Sequence, residues 1–172
     1  KALNSGTTAN YNSSVASGYL SNTEFQKIED LSSRKSIDDS PWETINLHQA
    51  WGYQKFGSGQ QIAIVDEGFY LTEAGASADH SDLDGKTVTA FGSFNTAVYS
   101  DDGDSTNDNN HGTAVAGAAA ADLDSTFSVG VAPSASLHIS SSSNKGSYPN
   151  LYEHLAAATA NASSAVVQNN SW

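Results

Sequence analysis

The chain has 172 residues, 38% of them hydrophobic, which is enough for one domain with a substantial core. Its formal net charge is -12, from 7 basic and 19 acidic side chains, and this balance argues against a nucleic-acid partner, which requires clustered lysine and arginine. The chain has no cysteine, which excludes disulfides, zinc–thiolate sites and cysteine nucleophiles, and no apolar run approaches the roughly 20 residues of a membrane span.

The first 40 residues differ in composition from the rest of the chain. Residues 1–40 are rich in serine, asparagine and threonine and are predicted to form an N-terminal extension, with one short amphipathic helix over residues 22–31. Residues 41–172 are predicted to form the first part of one domain. Because neither a methionine nor a signal peptide is present, we expect the chain to be a processed or trimmed product.

Apolar runs alternate with helical segments from residue 46 onward. Runs rich in branched side chains predict strands buried on both faces over residues 61–65, 87–91, 135–139 and from 165 to 167. Helices are predicted over residues 46–53, 111–122 and 150–160. The side chains predicted to face the interior are Leu47, Ala50 and Trp51 in the first helix and Leu151, His154, Leu155 and Ala158 in the last.

This alternation predicts an α/β fold, with a doubly wound, mostly parallel sheet and helices on both faces. The last predicted strand ends with the chain, so nothing would cover or pair its outer edge. We therefore expect the sheet to be incomplete as given.

Asp66 directly follows the first predicted strand. Functional groups of open α/β sheets gather at the carboxyl ends of strands, so Asp66 is a candidate functional residue. The alternative is an acidic side chain that caps the turn into the next element.

His111 begins a helix of small residues, His-Gly-Thr-Ala-Val-Ala-Gly, after an acidic, asparagine-rich loop over residues 100–110. Small residues allow a helix to lie close to a sheet. An imidazole at such a junction is well placed for proton transfer near neutral pH. The alternative is a histidine that only caps or packs against the helix.

Five stretches of the chain together resemble the subtilisin-like serine proteases, in the order of that family. They are Ile-Ala-Ile-Val-Asp-Glu-Gly at 62–68, His-Ser-Asp-Leu at 80–83, the His111 block at 111–117, Gly-Val-Ala-Pro-Ser-Ala-Ser-Leu at 130–137 and Asn-Asn-Ser-Trp at 169–172. Ser81 replaces a proline of the family pattern, and Glu67 stands where many members have serine or threonine. The resemblance implies that residues 41–172 are the first part of a subtilisin-like peptidase domain, similar to bacterial kexin-like or autotransporter members.

The resemblance implies a serine endopeptidase with an Asp–His–Ser triad, in which Asp66 orients the imidazole and His111 is general base and acid. The nucleophilic serine and the oxyanion asparagine are expected outside this chain, since it contains no Gly-Thr-Ser block. The chain alone is therefore expected to be inactive. The alternative is an inactive fragment or pseudoprotease that retains the fold as a binding or structural module.

The resemblance also implies partners and a location. A peptide or protein substrate is expected to add as a strand at Ser171 and Trp172, although Trp172 could instead be an ordinary core residue. The remainder of the same catalytic domain is a second expected partner. The protein is expected to be secreted or to lie on the bacterial cell surface.

A structural calcium ion is a further implication, at Asp82 and the loop near Asp124, where Asp122 and Asp124 are carboxylates of the right hardness; Asp82 and Asp124 are the predicted ligands. The acidic loop at residues 101–108 is a second candidate, and a merely solvated loop is the alternative for each. The other histidines are interpreted as surface or packed residues rather than zinc ligands: His48, His80, His138 and His154.

Overall fold

The computed structural model describes residues 12–14, 45–66, 69, 71–72, 77–78, 81–83, 86–91, 111–123, 129–141 and 149–171. The chain divides into two compact units, Lys1–Phe56 and Gly57–Trp172. The helix predicted over residues 22–31 and the acidic loop at residues 101–108 lie outside the described residues.

The first unit contains helix α1, Leu47–Gly52. Leu47 and Trp51 are buried, as predicted, and the Trp51 ring lies 6.0 Å from that of Phe56. The prediction that Ala50 is buried was wrong: Ala50 is exposed, and His48 is buried. On a helix with 3.6 residues per turn, positions 47, 48 and 51 share one side, and position 50 lies just outside the edge of that side.

The described part of the second unit contains six strands, two helices and a short 3-10 helix. The strands are β1 Gln61–Asp66, β2 Leu71–Thr72, β3 Ser77–Ala78, β4 Val88–Phe91, β5 Ser136–Ser141 and β6 Ala165–Ser171. The helices are α2 His111–Ala120 and α3 Leu151–Asn161, and the 3-10 helix is Ser81–Leu83.

Four of these strands form a parallel sheet in the order β4-β5-β1-β6. They are the four strands predicted from the apolar runs, and the parallel α/β architecture is confirmed. The antiparallel pair of β2 and β3 was not predicted, since two-residue strands are too short to show a periodic pattern.

Helices cover both faces of the sheet. Ile64 and its neighbours in the core pack with Ala116 and Ala120 of α2. On the opposite face, Ser140 Oγ lies 3.2 Å from His154 Nε2 of α3. Successive side chains of a strand point to opposite faces, so residues 62, 64 and 66 of β1 share the α2 face.

The C-terminal end of α2 is held by the segment that leads to β5. The backbone N–H groups of Val131 and Ala132 donate to the carbonyls of Ala118 and Ala119 in the last turn of the helix, at 3.1 and 2.9 Å, and that of Gly130 donates to the carbonyl of Ala121 just beyond it, at 3.0 Å. Such carbonyls have no partner inside a helix. A Cβ on Gly130 would lie 2.4 Å from the amide nitrogens of Ala120 and Ala121, so this close approach requires glycine.

Helix α3 begins after Asn150, whose Oδ1 accepts a hydrogen bond from the backbone N–H of Glu153 at 2.9 Å. This is an N-terminal cap of the ordinary kind. Of the four positions predicted to be interior, His154 and Ala158 are buried. Leu155 is half-buried, and the prediction that Leu151 is interior was wrong, since it is 36% exposed. None of the helices in the described part of the chain has the length and hydrophobicity that a membrane span requires.

Candidate active site

Asp66 is the last residue of β1, the strand that lies between β5 and β6. Its side chain is 0% exposed, and its position in the strand places it on the face covered by α2. An ionised carboxylate so deeply buried requires hydrogen-bond donors around it. The position alone therefore indicates a carboxylate with a specific partner.

That partner is His111, the first residue of α2, whose Nδ1 lies 2.6 Å from Asp66 Oδ1. The His111 side chain is 60% exposed. Because an ionised carboxylate can only accept, Nδ1 carries the hydrogen of this bond. In the neutral ring Nε2 is then the basic nitrogen, so the pair presents an accessible base that a buried carboxylate orients.

Ser171 lies beside Asp66 on the neighbouring strand. The two residues are paired in the register of β6 with β1, and paired residues of adjacent strands project from the same face. Ser171 is half-buried, and its Oγ accepts a hydrogen bond from Asn169 Nδ2 at 2.9 Å. The structure thus places Ser171 next to Asp66, while Trp172 lies outside the described residues.

Of the two predicted calcium ligands, Asp82 is described and Asp124 is not. Asp82 is 2% exposed, and its carbonyl accepts a hydrogen bond from the backbone N–H of Asp122 at 2.7 Å. Among the described residues, no three histidine or acidic side chains are grouped as a metal site would require. The described residues therefore contain one of the two predicted ligands, Asp82, and no complete set of ligands.

Lys86 is a buried residue that was not among the predicted site residues. Its side chain is 4% exposed, and Nζ lies 2.6 Å from Asp122 Oδ1. Nζ also donates to the carbonyls of Pro133 at 2.7 Å and Ala135 at 3.4 Å. The ammonium thus engages the carboxylate of Asp122, which makes Asp122 a poor ligand for a second cation. No pattern around residue 86 indicates this role.

His138 and His154 lie on the α3 face of the sheet, away from His111. His138 Nδ1 is 2.9 Å from Thr89 Oγ1, and burial lowers the pKa of His138 below its ordinary value. The His154 ring lies 5.5 Å from that of Phe91. Both are packed within the fold, whereas His80 lies outside the described residues.

Comparison with known proteins gives a family and a relative for this chain. The model of the subtilase family matches residues 57–172. The chain is 39% identical over 85 residues to a thermophilic serine proteinase of Bacillus sp. (strain AK1), and the alignment covers 49% of this chain and 18% of that protein. The chain therefore spans less than a fifth of the length of this relative. The family match coincides with the second compact unit, which contains Asp66, His111 and Ser171.

Proposed function

Because this chain belongs to the subtilase family, we propose that it is the earlier part of the catalytic domain of a subtilisin-type serine endopeptidase. The observation that carries the proposal is the 2.6 Å contact between the buried carboxylate of Asp66 and the exposed imidazole of His111. A carboxylate that fixes one ring nitrogen as donor makes the other the base that a serine nucleophile needs.

In the proposed mechanism, His111 Nε2 accepts the proton of the serine hydroxyl as that oxygen attacks the peptide carbonyl. It later donates the proton to the leaving amine. Asp66 holds the ring in the correct tautomer and stabilises the imidazolium. The N-terminus of α2 opposes that positive charge, so the carboxylate has to supply the compensating interaction.

The nucleophilic serine and the oxyanion asparagine are proposed to lie outside this chain, in the remainder of the same domain. The sequence contains no Gly-Thr-Ser block. Strand β6 is an edge of the sheet among the described strands. Its residues Val166 and Val167 are 64% and 54% exposed. Such exposed apolar side chains are consistent with a surface that the remainder of the domain covers.

The proposed substrate is an extended peptide that binds along the end of β6, with Ser171 and Trp172 in contact with it. Addition of a peptide strand next to a sheet gives affinity through main-chain hydrogen bonds. The pairing of Ser171 with Asp66 supports this placement, because a peptide bound there passes the Asp66–His111 pair.

We also propose a structural calcium ion held by Asp82 and Asp124. The buried Asp82 carboxylate supports this part of the proposal. When bound, the ion would neutralise buried negative charge and link the two segments. A chelator should lower the melting temperature of the protein and added calcium should restore it; an unchanged melting temperature in both conditions would dismiss the ion.

The resemblance to kexin-like and autotransporter proteases further leads us to propose a secreted or bacterial surface protein. Intact cells treated with an external protease, together with the culture medium, give the test. Protein that is found only inside intact cells would contradict this location.

The decisive experiment labels the complete protein with a fluorophosphonate, which reacts with an activated serine, and measures hydrolysis of a peptide mixture. We expect labelling and hydrolysis from the complete protein and neither from a verified 172-residue chain. A complete protein without labelling and without hydrolysis would favour the alternative, a pseudoprotease that retains the fold.

A further inference from the structure

Strand β6 ends in four polar residues that point alternately to the two faces of the sheet. Asn169 pairs with Ile64 and Ser171 with Asp66, so both project on the α2 face. Gln168 pairs with Ala63 and Asn170 with Val65, on the α3 face. Each face therefore carries one pair of polar side chains two residues apart.

On the α2 face, Asn169 Nδ2 donates a hydrogen bond of 2.9 Å to Ser171 Oγ. Both residues are half-buried, so the bond is only partly exposed to competition from water. A hydroxyl has one hydrogen and two lone pairs. Because Asn169 uses Oγ as an acceptor, the hydroxyl keeps its hydrogen for a second bond, and the side chain is held in one rotamer.

We propose that Asn169 is a positioning residue of the active site, an inference that rests on the proposed function. Its amide holds the Ser171 hydroxyl in the rotamer from which it donates a hydrogen bond to a backbone carbonyl of the bound peptide. A group that is already oriented loses less freedom when the substrate binds. Asn169 thus acts on the substrate through Ser171 rather than by its own contact.

The opposite face of the same strand supplies a matched control. There Gln168 Nε2 donates to Asn170 Oδ1 at 2.9 Å and to Thr159 Oγ1 of α3 at 3.0 Å. This network has similar lengths and chemistry but ties the strand to a helix on the face away from His111. Removal of the Asn170 side chain therefore tests for a merely structural effect of losing such a bond.

The experiment compares Asn169→Ala, Asn170→Ala, Ser171→Ala and the double variant N169A/S171A in the complete enzyme, with one peptide substrate. We expect N169A to raise KM by about three- to tenfold with little change in kcat, as for one hydrogen bond made equally in ground and transition states. N170A should keep the parental KM. Since Asn169 acts through Ser171, the double variant should be no weaker than S171A. Should N169A fail to fold, Asn169→Leu replaces it.

Equal effects of N169A and N170A, or additive effects of N169A and S171A, would overturn the proposal. The same peptide, labelled with a fluorophore, is also titrated onto the His111→Ala protein with and without N169A. If N169A weakens peptide binding, so that Kd rises about three- to tenfold, the proposal is supported. This holds even if the parent protein hydrolyses no peptide, because a lack of hydrolysis would overturn only the proposed function. An unchanged Kd overturns the positioning role even if the parent is an active protease.

Discussion

The ammonium nitrogen of Lys86 lies 2.6 Å from Oδ1 of Asp122, just before β4 and just after the end of α2, respectively. The same nitrogen donates to the carbonyl of Pro133, in the segment that leads to β5. One buried cation therefore connects three segments that are distant in sequence. It stabilises the end of α2 opposite to the end that presents His111.

Replacement of Lys86 by methionine should lower the free energy of unfolding by about 1–3 kcal/mol, because the buried carbonyl acceptors lose their donor. The loss is limited because the Asp122 side chain is 28% exposed and water can hydrate its carboxylate in the variant. Urea denaturation measures this change. The exposed Lys55 gives the matched control, since Lys55→Met should change stability by less than about 0.5 kcal/mol. Equal effects of the two substitutions would refute a special role for Lys86.

The two glycines near α2 should respond to alanine in opposite directions. Gly130→Ala places a Cβ 2.4 Å from the backbone nitrogens of Ala120 and Ala121, at the end of α2, and the resulting overpacking should cost about 2–3 kcal/mol of stability. Gly117 lies within α2, and a Cβ added there would meet no atom within 4 Å outside the backbone of its own helix. Gly117→Ala should therefore stabilise the protein by about 0.5–1 kcal/mol. Melting temperatures of the two variants that shift in the same direction would contradict this description of α2.

His138 should contribute to loss of stability in acid. Burial lowers the pKa of His138 from its ordinary value of 6.5, so below that pH the unfolded chain binds more protons than the folded one. The free energy of unfolding should therefore decrease as the pH falls from about 6.5 through the lowered value, by at most about 1.4 kcal/mol per pH unit from this residue. His138→Gln should give a shallower acid limb in stability curves between about pH 8 and 4. An acid limb as steep as that of the parent would rule out this contribution.

Much of the fold could be predicted because its signals are local. The run that forms β1 and the small residues of α2 have patterns typical of a buried strand and a closely packed helix. The burial of Lys86 depends on oxygens brought together by tertiary structure. The β2–β3 pair consists of two-residue strands, which are too short to show periodicity. Neither the burial of Lys86 nor this strand pair is therefore visible as a local sequence pattern.

The residues of the candidate site also divide into those that a local motif identifies and those whose position depends on the tertiary structure. Asp66 and His111 belong to recognisable motifs, and the structure brings them together. The position of Ser171 beside Asp66 depends on a register shift: Gln61 pairs with Ala165, but Ile62 pairs with Val167. Without that bulge residue 170 would oppose Asp66. Sequence periodicity does not show where a strand gains an extra residue.

The central claim is that Asp66 orients His111 as the catalytic base. The most direct test is kcat/KM of the complete enzyme carrying Asp66→Asn, which keeps the size of the side chain but removes its charge and offers an amide to the imidazole. We predict a loss of about 10⁴-fold at neutral pH, as for a triad whose histidine is held in the wrong tautomer. A folded Asp66→Asn enzyme with kcat/KM within about tenfold of the parent would contradict the account.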